Sequence, residues 1–130
     1  MTVVADIMHL PFVSSTPNIA RTKLAAFLTV NRIDMVVIDN ALIVLSEMIA
    51  NAVSHGVPDE HGMMEIGWAI DNANLELEVA DAGDCDSLVP VPFDEDSLSG
   101  RGLSIISQLA EDWSVDVADG TRIRAKISLS

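Results

Sequence analysis

The sequence predicts an α+β domain, a two-layer sandwich in which helices cover one face of a mixed, mostly antiparallel sheet. Two observations lead there. Helical periodicity is confined to two consecutive stretches in the first half and one near residue 105, whereas period-two alternation comes in pairs of stretches separated by turn residues. The chain has 130 residues and is 49% hydrophobic, enough to bury one core and too short for two, so residues 1–130 are expected to form a single domain.

The elements follow in order. Val3, Val4, Ile7, Leu10 and Phe12 lie irregularly among polar residues, which fits an initial strand within residues 1–13. Thr16-Pro17 reads as a helix start, with Thr16 as N-cap and Pro17 at the first helical position. Ile19, Ala20, Leu24, Phe27 and Leu28 then recur at helical spacing through about residue 30. Met35, Ile38, Leu42, Leu45, Ile49 and Val53 define a second helix from about Asp34 to His55, stopped by Gly56-Val57-Pro58. Met64, Ile66, Trp68 and Ile70 alternate, Asp71-Asn72-Ala73-Asn74 is turn chemistry, and Leu75, Leu77 and Val79 alternate again, giving a hairpin that ends at Asp81. Residues 82–99 are rich in glycine, proline and acids and read as a long surface loop. A third helix is expected from Gly102 to Glu111, with Leu103, Ile106 and Leu109 inward. Val115 and Val117, then Ile123, Ala125, Ile127 and Leu129, flank Asp119-Gly120 as a closing hairpin.

Composition narrows the function. Seven Lys and Arg against 20 Asp and Glu leave a formal charge of −13, which repels the phosphates of nucleic acid and of anionic membranes, so neither is an expected direct partner. The same field opposes any anionic nucleotide unless Mg²⁺, backbone N–H groups or an arginine compensates locally. Cys85 is the only cysteine, and His9, His55 and His61 have no metal-ligand spacing, so neither an intrachain disulfide nor a structural zinc is expected. No basic region precedes the first apolar residues, and Asp39, Asn40, Ser46, Glu47 and Asn51 interrupt the longest apolar stretch. A cytoplasmic protein without a membrane span is the expectation.

Three stretches can carry chemistry. In Glu47-Met48-Ile49-Ala50-Asn51-Ala52-Val53-Ser54-His55-Gly56, the four-residue step from Glu47 to Asn51 turns about 400° and puts both on nearly the same helix face. A carboxylate there can deprotonate an attacking hydroxyl, and an amide oxygen can ligate Mg²⁺ on phosphates. Taken alone, the pair reads as a solvated polar stripe on an amphipathic helix. Asp81-Ala82-Gly83-Asp84-Cys85 follows a strand. A carboxylate at a strand end can accept from an exocyclic amine such as adenine N6, and Gly83 permits close backbone approach; taken alone this is simply a turn. Ser99-Gly100-Arg101-Gly102-Leu103 opens the third helix, where unpaired N–H groups can meet a phosphate and Arg101 adds the positive charge that −13 demands.

Taken together and in this order, the three stretches resemble the N box, the D-x-G-x-G adenine box and the G-x-G-L box of the GHKL (histidine-kinase-like) ATPases. Gly100 to Ile106, running into Ala110-Glu111-Asp112-Trp113, is similar to the short single-domain anti-sigma-factor serine kinases. The resemblance covers about residues 10–129 and implies the GHKL (Bergerat) ATP-binding fold. It implies ATP and Mg²⁺ as cofactors, with Glu47 as general base and Asn51 as Mg²⁺ ligand. It further implies Asp81 as adenine acceptor, Gly83, Gly100, Arg101, Gly102 and Leu103 as nucleotide contacts, Thr121 beside the adenine pocket, and residues 86–99 as the ATP lid. The implied reaction phosphorylates a Ser or Thr of an anti-anti-sigma (STAS-type) partner, in competition with sequestration of a sigma factor. Homodimerisation is implied by the family alone. Arg21 matches an arginine on the family's partner-binding face and reads equally as an exposed helix cation. Cys85 replaces the last glycine of the adenine box, which puts a Cβ where the family has hydrogen and predicts weakened or altered nucleotide binding. A module on the same fold that acts only by sequestration is therefore the alternative, and an ATPase module of a two-component histidine kinase is a third reading. His55 reads as a helix-terminal cap, Trp68 and Trp113 as core or partner surface, and Asp94, Glu95 and Asp96 as solvated loop.

Overall fold

The computed structural model describes residues 3–83, 105–117 and 120–129. Their elements run β1 (Val4–Pro11), α1 (Thr16–Val30), α2 (Met35–His55), β2 (Met63–Ile70), β3 (Asn74–Asp81), β4 (Asp112–Asp116) and β5 (Thr121–Ser128). Residues 105–109 add a short helical segment before β4. The strands form one sheet in the order β1-β2-β3-β5-β4, and every pairing is antiparallel. The last strand in sequence therefore lies inside the sheet, between β3 and β4.

Alternation puts one side of each strand against the helices. Leu77 lies opposite Trp68 on β2 and Ala125 on β5, and Val79 opposite Ile66 and Ile123, so a continuous apolar surface crosses the three central strands. Helix α2 covers it with Val44, Leu45, Met48 and Ile49, all fully buried, each such side chain stabilising the fold by about 1.5–3 kcal/mol relative to exposure. Helix α1 packs beside α2 through Ala20, Leu24 and Leu28 and reaches the sheet where the Phe27 ring centroid lies 6.1 Å from that of Trp68. By length and hydropathy, Met35–Ser54 could cross a membrane. Here its most apolar face is the cover of the sheet.

The opposite face of the sheet is polar and laced with ion pairs across four strands. Arg122 on β5 bonds Glu65 on β2 at 2.8 Å and also pairs with Glu78 on β3, Arg124 lies 3.5 Å from Glu78, and His9 on β1 lies 3.6 Å from Glu65. At the β1 edge, Ile7 is 68% exposed and rests over Gly67, where an added Cβ would lie 3.4 Å from the Ile7 side chain.

Boundaries depart from expectation at several points. Ser15, not Thr16, is the N-cap of α1; Thr16 is the first helical residue, buried, and its hydroxyl donates to the Pro11 carbonyl, tying the helix start to the end of β1. At α2, Asp34 is the cap, its side chain accepting from Val36 N at 3.1 Å. The sheet, expected to be mixed and mostly antiparallel, is antiparallel throughout its described strands. β4 begins at Asp112 rather than near Val115, because Glu111 N already bonds the Lys126 carbonyl at 2.7 Å and ends the preceding helix early. The expected lid at 86–99, Cys85, and the Gly100–Leu103 stretch lie outside the described residues.

Candidate functional site

The end of α2, the end of β3 and the start of β5 converge on Asp81. The α2 helix stops at Gly56, whose N–H bonds the Ala52 carbonyl. The chain then runs past Asp81 as an extended segment, with Val57 N donating to Asp81 Oδ1 at 3.3 Å and Ala82 N donating to the Val57 carbonyl at 2.9 Å. Gly83 N donates to the same Oδ1 at 2.6 Å. One carboxylate oxygen thus takes two backbone donors, and Oδ2 accepts no hydrogen bond among the described residues. Burial pushes the Asp81 carboxyl above its ordinary range, the two N–H donors acting in the other direction.

Glycines surround this residue. A Cβ at Gly56 would fall 2.4 Å from Asp81 Oδ2, one at Gly83 2.6 Å from Oδ1, and one at Gly120 2.4 Å from the Asp81 carbonyl oxygen. Gly120 alone of the three requires its residue type by conformation as well, at φ +82°. The missing side chain of Gly83 leaves room for the Asp81 carboxylate.

Thr121, directly across from Asp81 in the β3–β5 register, is 3% exposed, and its hydroxyl oxygen has no partner among the described residues. Asn51 lies on α2 five residues before Gly56, about 7.5 Å along the helix axis. Its Oδ1 is buried and likewise unpartnered among the described residues. Glu47 follows one turn earlier and is half-buried. Buried polar atoms are nearly always satisfied, so Asn51 and Thr121 can each still take a partner, as can Trp68 Nε1 in the core, likewise unpartnered among the described residues. An amide oxygen is a suitable hard donor for Mg²⁺, which takes few protein ligands and keeps phosphates and waters, so Asn51 fits that ion. Among the described residues no three His, Cys, Asp or Glu side chains gather into a metal cluster.

Arg21 does not join this group. Its guanidinium donates to Ser46 Oγ on α2 at 2.9 Å and to Asn18 on its own helix, so it fastens α1 to α2 and is half-buried rather than a free surface cation. Gly100, Arg101, Gly102 and Leu103 lie outside the described residues. Sequence reasoning reads Gly56 as a helix stop at the end of the Glu47–Gly56 stretch and Gly120 as the turn of the closing hairpin, and neither as a neighbour of Asp81. The sole signal of their role is the glycine itself, since the approach of Asp81 to each is tertiary.

The family model of the histidine kinase-like ATPase domain matches residues 14–127. No curated protein sequence matches the chain. Among solved structures, the RsbU and RsbW domains of Rv1364c from Mycobacterium tuberculosis superpose with a TM-score of 0.72 at 19% identity, over 95% of this chain and 32% of that one. At that identity the likeness is one of fold, and this chain spans about a third of the other's length. The chain belongs to the histidine kinase-like ATPase domain family.

Proposed function

We propose that this histidine kinase-like ATPase domain binds ATP with Mg²⁺, phosphorylates a Ser or Thr of a STAS-type anti-anti-sigma partner, and sequesters a sigma factor in competition with that partner. The observation that carries the nucleotide reading is the half-buried Asp81 carboxylate, which has Oδ1 taken by two backbone N–H groups and Oδ2 left to accept among the described residues. An adenine N6 amine is the donor such an oxygen suits. The Thr121 hydroxyl across the strand pair, unpartnered among the described residues, is assigned to the same base.

Asn51 Oδ1 would hold Mg²⁺, and Glu47, one helical turn away, would face the reacting end of the nucleotide. Bound Mg²⁺-ATP supplies the transferable γ-phosphoryl with part of its charge neutralised. Glu47 takes the proton of the partner's hydroxyl while that oxygen forms its bond to the γ-phosphorus, and the bond to the β–γ bridging oxygen breaks with release of ADP. Gly100, Arg101, Gly102 and Leu103 are assigned to the phosphates, and residues 86–99 to a lid, on the sequence pattern alone. The sigma and STAS-type partners are carried by the sequence resemblance and suggested by the RsbW domain in the neighbouring fold.

The test is Mg²⁺-ATP titration together with phosphotransfer to a STAS-type protein, on the wild type and on Glu47→Ala. The variant should bind within about threefold of wild type and lose roughly 10²-fold or more of phosphotransfer, the share a positioned general base contributes. Wild-type protein that binds Mg²⁺-ATP but labels no partner would leave the sequestering module. Wild-type protein that binds no nucleotide would overturn the proposal.

A further inference from the structure

Gly56 has no place in the chemistry proposed above, yet any side chain placed there would run into the proposed acceptor oxygen. Its backbone, at φ −92° and ψ −169°, is extended and open to any side chain, so conformation does not require glycine there. Space does. A Cβ would lie 2.4 Å from Asp81 Oδ2 and 2.5 Å from Asp81 Cγ, inside any tolerable contact, and 2.7 Å from the Ala52 carbonyl oxygen.

On the other side of the carboxylate, Gly83 N and Val57 N hold Oδ1, which fixes the rotation of the group. The carboxylate is thus held by two donors at one oxygen, while the other occupies the space that a side chain at position 56 would take. We infer that Gly56 is a positioning residue for Asp81, and through it a determinant of selectivity for 6-aminopurine over 6-oxopurine nucleotides. The inference rests on the reading of Asp81 as base acceptor.

The physical basis is the asymmetry of hydrogen bonding. A fixed, partly buried carboxylate oxygen accepts from an N6 amine, whereas an O6 carbonyl brings a second acceptor against it and leaves both unpaired. If a methyl group at position 56 displaces the carboxylate, the penalty against the 6-oxo base falls together with the benefit to the amine. Phosphate and Mg²⁺ contacts are assigned to other residues and bear equally on both nucleotides.

The experiment measures the dissociation constants of ATP and of inosine triphosphate, each with Mg²⁺, for wild type, Asp81→Ala, Gly56→Ala and the double variant. Wild type should prefer ATP by about tenfold or more, the ratio that one lost hydrogen bond with an unsatisfied acceptor produces. Gly56→Ala should bring that ratio near one while binding inosine triphosphate within about threefold of wild type, and should change nothing further in the Asp81→Ala background. A merely structural glycine would weaken both nucleotides equally and keep the ratio, which would overturn the inference. Should Gly56→Ala fail to fold, the double variant decides: recovery of folding when the carboxylate is gone supports the contact with Asp81, and continued failure assigns the requirement to the Ala52 carbonyl and overturns it. Absence of ATP binding by wild type, or a wild-type preference that Asp81→Ala leaves intact, would instead remove the acceptor reading itself.

Discussion

At the scale of single residues, Asp81 is arranged at the expense of the empty fold. Burial raises its pKa, so between the unfolded value near 3.8 and the higher folded value the native state binds more protons than the unfolded state. Its contribution to stability is therefore greatest at low pH and is lost as pH rises through that window, leaving a destabilising charge at neutrality. Asp81→Asn removes the charge and keeps an oxygen for Val57 N and Gly83 N. We expect its nucleotide-free unfolding temperature at pH 7 to equal or exceed that of wild type, while ATP affinity falls about tenfold or more as an amide replaces the acceptor. Calorimetric scans paired with ATP titrations check both; a variant that loses stability and affinity together would make Asp81 a structural residue. For wild type, ATP affinity should decline on acidification at a pH above that of an ordinary aspartate, because protonation converts the acceptor into a hydroxyl donor.

At the scale of elements, α2 both covers the sheet and presents the site. Met48 is fully buried one residue after Glu47, so the helix is anchored to the core within the same turn that carries the proposed base. Met48→Ala should cost about 2–5 kcal/mol in denaturant unfolding, as truncations of fully buried side chains do. A cost below about 1 kcal/mol would mean that α2 is not held where the packing puts it. This helix was legible in the sequence because its apolar period is long and unbroken, and the β2–β3 hairpin because Met64 to Ile70 and Leu75 to Val79 alternate around a four-residue turn. What was not legible is tertiary. Nothing in Gly56-Val57 indicates that its N–H will face a carboxylate in β3, and nothing local tells the cap at Ser15 from one at Thr16, which the Pro11 carbonyl draws into the helix. The ion-pair ladder of Arg122, Glu65 and Glu78 likewise joins residues whose registry appears only when β5 settles beside β3.

For the molecule as a whole, a formal −13 on 130 residues opposes compaction, and the described ion pairs on the open sheet face offset it only locally. Screening should therefore help. Raising NaCl from about 50 mM to about 500 mM should raise the unfolding temperature, the reverse of what a fold resting on surface ion pairs would do. A fall in that scan would assign net stabilisation to the ladder instead.

The insertion of β5 between β3 and β4 also bears on how the polypeptide is made. A ribosome delivers β1, both long helices, β2 and β3 well before β5, so the growing chain carries Leu75, Leu77 and Val79 along a strand edge with no neighbour until the final stretch emerges. Synonymous codons that slow translation between β3 and β5 should lengthen that interval and lower soluble yield, whereas the same slowing before β2 should not. Equal yields from the two would mean that the nascent edge is shielded some other way.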